Sequence, residues 1–250
     1  MGDNTEVKER GCVIVANGRF PSAELPLRLL KEAKTIIACD GAVKTLYEKG
    51  IHPDAIVGDL DSIPADLRKR YADRIHHVED QEINDLSKSI RFAHAQGYRE
   101  VLILGATGLR EDHTLGNISL LMEYAPLFKR VEMLSDYGLF TPILETTTFA
   151  SYPGQQISIF VLYPEGEIST EGLRWPICQR KLTSWWQGTL NEALGNQFTV
   201  TLSPDCRVII YREAPLYKKI VLKSITTFQD RYTPQLYMLK SEAFASLSSR

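Results

Sequence analysis

The chain has 250 residues, enough for one large domain or two modest ones, and 44% of its residues are hydrophobic. Lysine and arginine number 29 against 31 aspartates and glutamates, and a net charge of -2 argues against a nucleic-acid partner. Four widely spaced cysteines without a CxxC pair, and no apolar run typical of a signal peptide or a membrane span, predict a cytoplasmic protein that does not enter the membrane.

The first half of the chain alternates short apolar runs with amphipathic segments. Six runs rich in β-branched residues predict strands: CVIVANG, TIIACDG, DAIVGDLD, RIHHVED, EVLILGATG and VEMLSD. Five segments between them predict helices: ELPLRLLKEA, AVKTLYEKG, PADLRKRYA, NDLSKSIRFAHAQG and DHTLGNISLLMEYA. In the last two helices an apolar stripe for packing on a sheet is formed by Leu86, Ile90 and Ala93 and by Leu115, Ile118 and Leu121. Residues 1–136 are therefore predicted to form an α/β domain with a mostly parallel, doubly wound sheet.

The second half of the chain has the pattern of consecutive strands without helices between them. Six runs predict strands separated by Pro, Gly and Asn signals: GLFTPILE, TTTFASY, QISIFVLYP, GEISTEGLRW, QFTVTLS and RVIIYRE. Residues 137–213 are therefore predicted to form an all-β sandwich. Residues 214–250 are predicted to be a C-terminal extension, and their sequence does not indicate a role.

Two aspartates, Asp59 and Asp61, follow the predicted strand AIVG. Alternate side chains of an extended or gently turning backbone lie on one face, so these carboxylates are expected to converge. Two like charges raise each other's pKa unless a cation lies between them. Mg²⁺ binds carboxylates together with phosphate oxygens, so the pair predicts a magnesium site. Solvated turn acids are the structural alternative, and His76 and His77 are expected to pack in a strand rather than bind metal.

Polar residues follow four of the predicted parallel strands. They are Asp40, the pair Asp59 and Asp61, Asp80, and the loop GATGLRED of residues 105–112. Because parallel strands bring their carboxyl ends to one edge of a sheet, where ligands bind in such folds, these residues are expected to share a site.

The glycine-rich loop of residues 105–112 has the composition of a phosphate site. Gly105 and Gly108 permit a close backbone approach, and Arg110 offers a planar fork to phosphate oxygens. An ordinary tight turn is the alternative for the glycines.

Three polar residues at the predicted helix starts have simpler alternative roles. Helix capping is the alternative for Asp112 and for Asn84. Lys88 is either a solvated helix residue or, from the first turn of its helix, a phosphate ligand.

Six stretches resemble the thiamine pyrophosphokinase family in order and spacing, over most of residues 12–211. They are CDGAVKTL, HPDAIVGDLDSI, EDQEINDLSKSI, GATGLREDHTLGNI, GLRWPI and GTLNEALGN. Nine residues keep the family's residue type: Asp59, Asp61, Asp80, Gln81, Asp85, Lys88, Arg110, Asp112 and Asn191. Four positions depart from it: Ala42, Asn84, Leu109 and Leu190.

The resemblance implies an α/β domain that binds ATP, a β-sandwich that helps to bind thiamine, and a homodimer with active sites between subunits. It also implies that magnesium is used and that the thiamine hydroxyl attacks the β-phosphorus of ATP, with AMP as the leaving group.

For this reaction the metal ligands are expected to be Asp59, Asp61 and Asp85, with Asp40 as a further ligand or a neighbouring acid. The phosphate-binding groups are expected to be Gln81, Lys88, Arg110 and the amides near Gly105 and Gly108.

Asp80 and Asp112 are both candidates for a general base. Thiamine is expected to contact Trp175 and Asn191, with Trp185 and Trp186 as further aromatic candidates and packing in the sandwich as the alternative for all three tryptophans.

Three other functions stay open from the sequence. The chain is alternatively a pyrophosphokinase for another heterocyclic alcohol such as a pterin, or a nucleotide- or thiamine-binding module without turnover. A sugar transferase that uses the DxD pair with magnesium is a weaker alternative.

Overall fold

The structure is a computed structural model that describes residues 11–204 and 206–214. The chain divides into two compact units, Met1–Thr141 and Pro142–Arg250, shortly after the boundary predicted at residue 136. The predicted extension of residues 214–250 lies outside the described residues except for Ala214. None of the helices in the described ranges combines the length and apolar character that crossing a bilayer requires. All four cysteines are free thiols.

The first unit contains the predicted parallel sheet. Its strands are β1 (Gly11–Val15), β2 (Ile36–Cys39), β3 (Ala55–Gly58), β4 (Ile75–His77), β5 (Glu100–Leu104), β6 (Arg130–Leu134) and β7 (Gly138–Ile143), the last of which runs into the second unit. They lie in the order β7-β6-β5-β1-β2-β3-β4, with β1 to β6 parallel and β7 antiparallel to β6. The strand order therefore reverses where β1 lies beside β5, which is where a ligand crevice opens in such sheets.

Five helices connect these strands: α1 (Glu24–Lys31), α2 (Ala42–Glu48), α3 (Ala65–Arg70), α4 (Asp85–Ala95) and α5 (Glu111–Tyr124). The predicted stripe of α4 is confirmed, because Leu86, Ile90 and Ala93 are all buried. The stripe predicted for α5 is wrong at Leu115, which is 53% exposed, whereas Leu121 is fully buried. Buried residues of α5 occur only in its last turn, so the start of this helix does not pack as the periodicity predicts.

Strand β4 is the last strand on its side of the sheet and has only three residues. Its His76 packs against Phe92 of α4 with ring centroids 4.4 Å apart, as a packing residue is expected to do. His77 lies 3.9 Å from Glu79, and both histidines are exposed.

The second unit is built of antiparallel strands, as predicted for a sandwich. Its strands are β8 (Thr147–Ala150), β9 (Gln156–Tyr163), β10 (Ile168–Glu171), β11 (Asn191–Glu192), β12 (Gln197–Leu202) and β13 (Arg207–Glu213). One sheet has the order β10-β12-β8, and in the other β9 pairs with both β11 and β13. Alternate residues of the strands supply one apolar core that includes Phe149, Ile159, Phe198, Val200 and Ile210. The sequence did not predict the short strand β11 or the 3-10 helix at Trp185–Gly188.

Asp136, which follows β6, holds the chain at the start of α1. Its carboxylate accepts hydrogen bonds from the amide of Ser22 at 2.9 Å, from the amide of Ala23 at 2.9 Å and from the Ser22 hydroxyl at 2.5 Å. Burial acts to raise the pKa of Asp136, but these hydrogen bonds outweigh burial and lower it. The ionised carboxylate therefore stabilises the folded state.

We expect Asp136→Asn to lower the free energy of unfolding by about 1–2 kcal/mol at pH 7, because hydrogen bonds to a charged group are lost. A lowered folded-state pKa gives stability that is complete above the unfolded pKa of about 3.9 and is lost as pH falls through the folded value. The difference between wild type and variant should therefore shrink below about pH 4. Urea unfolding at pH 7 and pH 3 measures it, and the exposed Asp73→Asn serves as control. An equal effect of both variants at pH 7 would contradict this role.

Candidate active site

Three carboxylates converge beyond the ends of β2 and β3. One oxygen from each of Asp40, Asp59 and Asp61 lies within 4.8 Å of the others. The convergence does not come from an extended backbone, because β3 ends at Gly58 and Leu60 has a φ of 70°. A left-handed residue between the two aspartates turns the chain back, and this turn brings their carboxylates to one side.

Asp40 is the buried member of this group. It is 2% exposed, has a φ of 37°, and accepts a hydrogen bond at Oδ2 from the Ser62 amide at 3.2 Å. Within the described part of the chain, its buried Oδ1 has no hydrogen-bond partner. Burial raises the pKa of Asp40, and the negative charges of Asp85 and Asp59 raise it further. An unsatisfied buried carboxylate oxygen beside two other carboxylates fits a bound cation.

Lys88 of α4 neutralises part of this charge. Its side chain is 2% exposed, and Nζ lies 3.0 Å from Oδ1 of Asp85 and 3.3 Å from Oδ2 of Asp59. The alternative of a solvated helix lysine is therefore wrong. Burial acts to lower the pKa of Lys88, but the carboxylates of Asp85 and Asp59 outweigh it and raise that pKa. Asp85 is thus the partner of Lys88 rather than a member of the three-carboxylate group.

Asp59 receives further donors. Gln81 donates from Nε2 to Oδ2 of Asp59 at 3.3 Å, and the Asp61 amide donates to Oδ1 at 3.4 Å. Burial acts to raise the pKa of Asp59, but these bonds and Lys88 outweigh burial and lower it. The two neighbouring carboxyl groups therefore differ, because the pKa of Asp59 is lowered and that of Asp40 is raised.

A cleft of about 490 Å³ lies between Asp59 of the acidic group and the loop after β5, and its lining does not include Asp40 or Asp61. From the acidic side it is lined by Asp59, Gln81, Asp85 and Lys88, and from the loop by Ala106, Thr107 and Arg110. The cleft opens at the point where β1 lies beside β5 and the strand order reverses.

The loop after β5 is held against the loop after β1. The amide of Gly18 donates to the carbonyl of Gly105 at 2.7 Å, and the amide of Arg19 donates to the carbonyl of Thr107 at 2.9 Å. Gly105 and Gly108 have φ values of 67° and 86°, a region that L side chains rarely adopt. The glycines are therefore required by the turn, whereas the cleft is lined by their neighbours Ala106, Thr107 and Leu109 and not by the glycines themselves.

Arg110 and Asp112 form a two-point ion pair at the mouth of the loop. Nε of Arg110 lies 3.1 Å from Oδ1 of Asp112, and Nη2 lies 2.5 Å from Oδ2. The bond from Arg110 lowers the pKa of Asp112 to about 2. The alternative of an N-cap is wrong for Asp112, because α5 begins at Glu111 with Arg110 at its N-cap. Asn84, in contrast, does cap α4 and accepts from the Ser87 amide at 2.9 Å.

Asp80 makes its hydrogen bond and its ion pair with groups outside the cleft lining. Its Oδ1 accepts from the Glu82 amide at 2.9 Å, and its Oδ2 lies 3.6 Å from Nη1 of Arg91. Asp80 is not among the residues that line the cleft, although its neighbour Gln81 is.

Several cleft residues were not identified from the sequence. They are Asn17, Ser62, His113, Thr114 and Asn117. Asn17 follows the first predicted strand, so the rule that selected Asp40 also applies to it. Ser62 donates its amide to Asp40 and its hydroxyl to Asp61 at 2.8 Å, which holds the two acids together. Asn117 lies inside a helix, where the sequence gives no comparable signal.

The second unit has a separate pocket of about 240 Å³ beside Trp175 and Asn191. Asn191 is 6% exposed, donates from Nδ2 to the Trp175 carbonyl at 2.7 Å and accepts at Oδ1 from the Trp175 amide at 3.1 Å. This amide therefore fixes the backbone of Trp175. The Trp175 ring is 56% exposed, and the guanidinium of Arg174 lies 5.5 Å from its centroid.

The other two tryptophans are also outside the core. Trp185 is 39% exposed and Trp186 is 74% exposed. Burial of the three tryptophans in the core of the sandwich is therefore excluded, whereas packing at its edge is seen for Trp185, whose ring centroid lies 5.9 Å from that of Phe160.

Gly58 leaves the space that the Asp40 side chain occupies. A Cβ at Gly58 would lie 2.6 Å from Cβ of Asp40, whereas a Cβ at Gly116 of α5 would meet nothing within 4 Å. We expect Gly58→Ala to displace Asp40 and to lower the free energy of unfolding by about 1–3 kcal/mol. Because Asp40 belongs to the three-carboxylate group, the variant should also bind a divalent cation more weakly, which calorimetry with Mn²⁺ measures. Gly116→Ala should be neutral or stabilising by up to about 1 kcal/mol. Unchanged Mn²⁺ affinity in Gly58→Ala would contradict the packing argument.

Comparisons with known proteins agree with this geometry. The catalytic-domain model of thiamin pyrophosphokinase matches residues 27–134, and the substrate-binding-domain model of the same enzyme matches residues 138–211. Thiamine pyrophosphokinase 1 of Oryza sativa subsp. japonica is 29% identical over 194 residues, which cover 65% of this chain and 72% of the relative.

Two solved structures share the fold. Thiamin pyrophosphokinase from Geobacillus thermodenitrificans is 23% identical and aligns over 82% of this chain and 98% of its own, with a TM-score of 0.68. The enzyme from Candida albicans is 18% identical and aligns over 82% of this chain and 90% of its own, with a TM-score of 0.70. With both domain models matched in order along the chain, this protein belongs to the thiamine pyrophosphokinase family.

Proposed function

We propose that the cleft beside β1 and β5 is where this member of the thiamine pyrophosphokinase family transfers a pyrophosphoryl group from ATP to the hydroxyl of thiamine, giving thiamine diphosphate and AMP. The observation that carries the proposal is a single cleft that brings together carboxylates, a buried lysine and a glycine-rich loop ending in an arginine. Such a set binds a polyphosphate and a divalent cation at the same time.

Magnesium is proposed to bind Asp40, Asp59 and Asp61, whose oxygens already lie within 4.8 Å of one another. This set differs from the sequence-based one, in which Asp85 was the third ligand and Asp40 a further ligand or a neighbouring acid, because the converging oxygens are those of Asp40, Asp59 and Asp61. A bound magnesium ion would offset the charge of the triphosphate.

The positive groups around the cleft are proposed to bind the phosphates. Lys88 lines the cleft beside Asp59, and Arg110 lines it together with Ala106 and Thr107 of the loop after β5. Arg110 already holds a carboxylate in a two-point geometry that suits two phosphate oxygens equally well. Because the transition state of phosphoryl transfer is loose, positioning and charge stabilisation supply most of the catalysis.

The general base stays a choice between Asp80 and Asp112. A pKa of about 2 makes Asp112 a weak base and suits it better to orienting Arg110. Asp80 bonds to Arg91 and to a backbone amide, and in a loose transition state the hydroxyl proton leaves late and needs little help.

The Trp175 pocket of the second unit is proposed to help bind the acceptor. Asn191 fixes the Trp175 backbone, and the exposed indole face suits a cationic thiazolium ring. The homodimer, which the family resemblance implies, and the location in the cytoplasm, which the composition predicts, are part of the same proposal.

The reaction is tested by incubating the full chain with ATP, Mg²⁺ and thiamine and measuring AMP and thiamine diphosphate by chromatography. We expect both products in equal amounts, and we expect a pterin alcohol in place of thiamine to give none. Binding of ATP without AMP release would contradict the proposal.

Asp59→Asn and Asp61→Asn should each lower kcat at least about 100-fold, because each removes a carboxylate from the proposed metal site. The control is Asp66→Asn, which removes an exposed carboxylate from the first turn of α3 and should keep kcat within about twofold. Near-normal kcat in Asp59→Asn or Asp61→Asn would show that the metal assignment is wrong.

A further inference from the structure

A chain of side-chain hydrogen bonds joins α4, α5 and the loop after β5. Nδ2 of Asn84 donates to Oδ1 of Asn117 at 3.2 Å, and Nδ2 of Asn117 donates to the carbonyl oxygen of Ala106 at 2.9 Å. At its other end, Oδ1 of Asn84 accepts from the Ser87 amide and caps α4. Both asparagine side chains thus use an acceptor and a donor, and each donor amide points toward the next element.

The three linked elements carry the charged groups of the cleft. The first turn of α4 contributes Asp85 and Lys88, and the loop contributes Arg110. Asn84, Asn117 and Ala106 themselves line the same cleft. The two hydrogen bonds therefore tie the start of α4, which carries Lys88, to the loop that carries Arg110.

We propose that Asn84 and Asn117 are positioning residues that set the separation between Lys88 on α4 and the phosphate-binding loop of residues 105–110. This inference rests on the proposed function, since it assigns the two residues to the same phosphate transfer. An error of about 1 Å in the placement of reacting groups can cost up to about 100-fold in rate. A partial loosening of one link should cost less, roughly tenfold.

Asn84→Ser separates the two roles of Asn84. The hydroxyl of this variant can still accept from the Ser87 amide and cap the helix, but its side chain is too short to reach Asn117. Asn117→Ala removes the middle of the chain and leaves a good helix former within α5.

Tyr124→Phe provides the matched control. The Tyr124 hydroxyl lies 2.7 Å from the Ser87 hydroxyl, so this buried hydrogen bond also joins α4 to α5. Neither residue lines the cleft. A general loosening of the two helices should therefore appear in this variant, whereas loss of positioning in the cleft should not.

The test measures kcat and KM for the full chain with saturating MgATP. We expect Asn84→Ser and Asn117→Ala each to lower kcat about tenfold, with the KM for thiamine within twofold of wild type, and Tyr124→Phe to keep kcat within twofold. The double variant Asn84→Ser/Asn117→Ala should lose no more than either single variant, because both break one chain. Three results would each overturn the inference. The first is a loss of kcat of about 100-fold in the double variant, which would mean that the two single losses are independent. The others are a kcat near wild type in Asn84→Ser and an equal loss of kcat in Tyr124→Phe.

A second readout separates this inference from the proposed function. If wild type releases no AMP with thiamine, the proposed function fails, and calorimetry with MgATP alone then decides the inference. Asn84→Ser and Asn117→Ala should weaken MgATP binding about fivefold or more while Tyr124→Phe does not. Equal dissociation constants in all four proteins would overturn the inference, and Asn84→Ser decides alone if Asn117→Ala does not fold.

Discussion

Electrostatic repulsion among the acids of the cleft is the constraint on which the site depends. The parallel strands β2 and β3 end at one edge of the sheet and deliver Asp40, Asp59 and Asp61 to it, and α4 adds Asp85. Like charges held this close favour protonation, a cation between them, or both. The buried Lys88 neutralises part of this negative charge, because it pairs with both Asp59 and Asp85. Oδ1 of Asp40, which has no hydrogen-bond partner among the described residues, indicates that a divalent ion neutralises the remaining negative charge.

The backbone around these acids adopts conformations that residues other than glycine rarely adopt. Asp40 and Leu60 have positive φ values, which cost free energy for residues other than glycine, and more for a leucine than for an aspartate. The fold holds these conformations because Ser62 bonds to both Asp40 and Asp61 and because Gly58 leaves space for Asp40. Two of the four described non-glycine residues with positive φ therefore lie at the acidic edge, and the other two, Gln179 and Leu190, lie in the second unit.

Periodicity and strand endings predicted most of the fold and the location of the site. Alternating β and α segments gave the parallel sheet, and the rule that parallel strands end at one edge placed Asp40, Asp59 and the loop of residues 105–112 together. The handedness of the turn at Leu60 could not be predicted, because it depends on packing around Asp40. The burial of Lys88 was also missed, since a lysine one turn into an amphipathic helix has no local signal of its partners. Asn117 was missed for the same reason, and Leu115 was misplaced because only the last turn of α5 is buried.

The short edge strand β4 limits how copies of this chain can pair through the margin of the parallel sheet. A strand at the margin of a sheet offers unpaired amides and carbonyls on which a strand of a neighbouring molecule can form. With three residues, β4 exposes few such groups, and its two imidazole side chains make that margin polar. This side of the sheet is thereby a poor template for intermolecular β-pairing, so the protein gains resistance to aggregation at the same place where its parallel sheet stops.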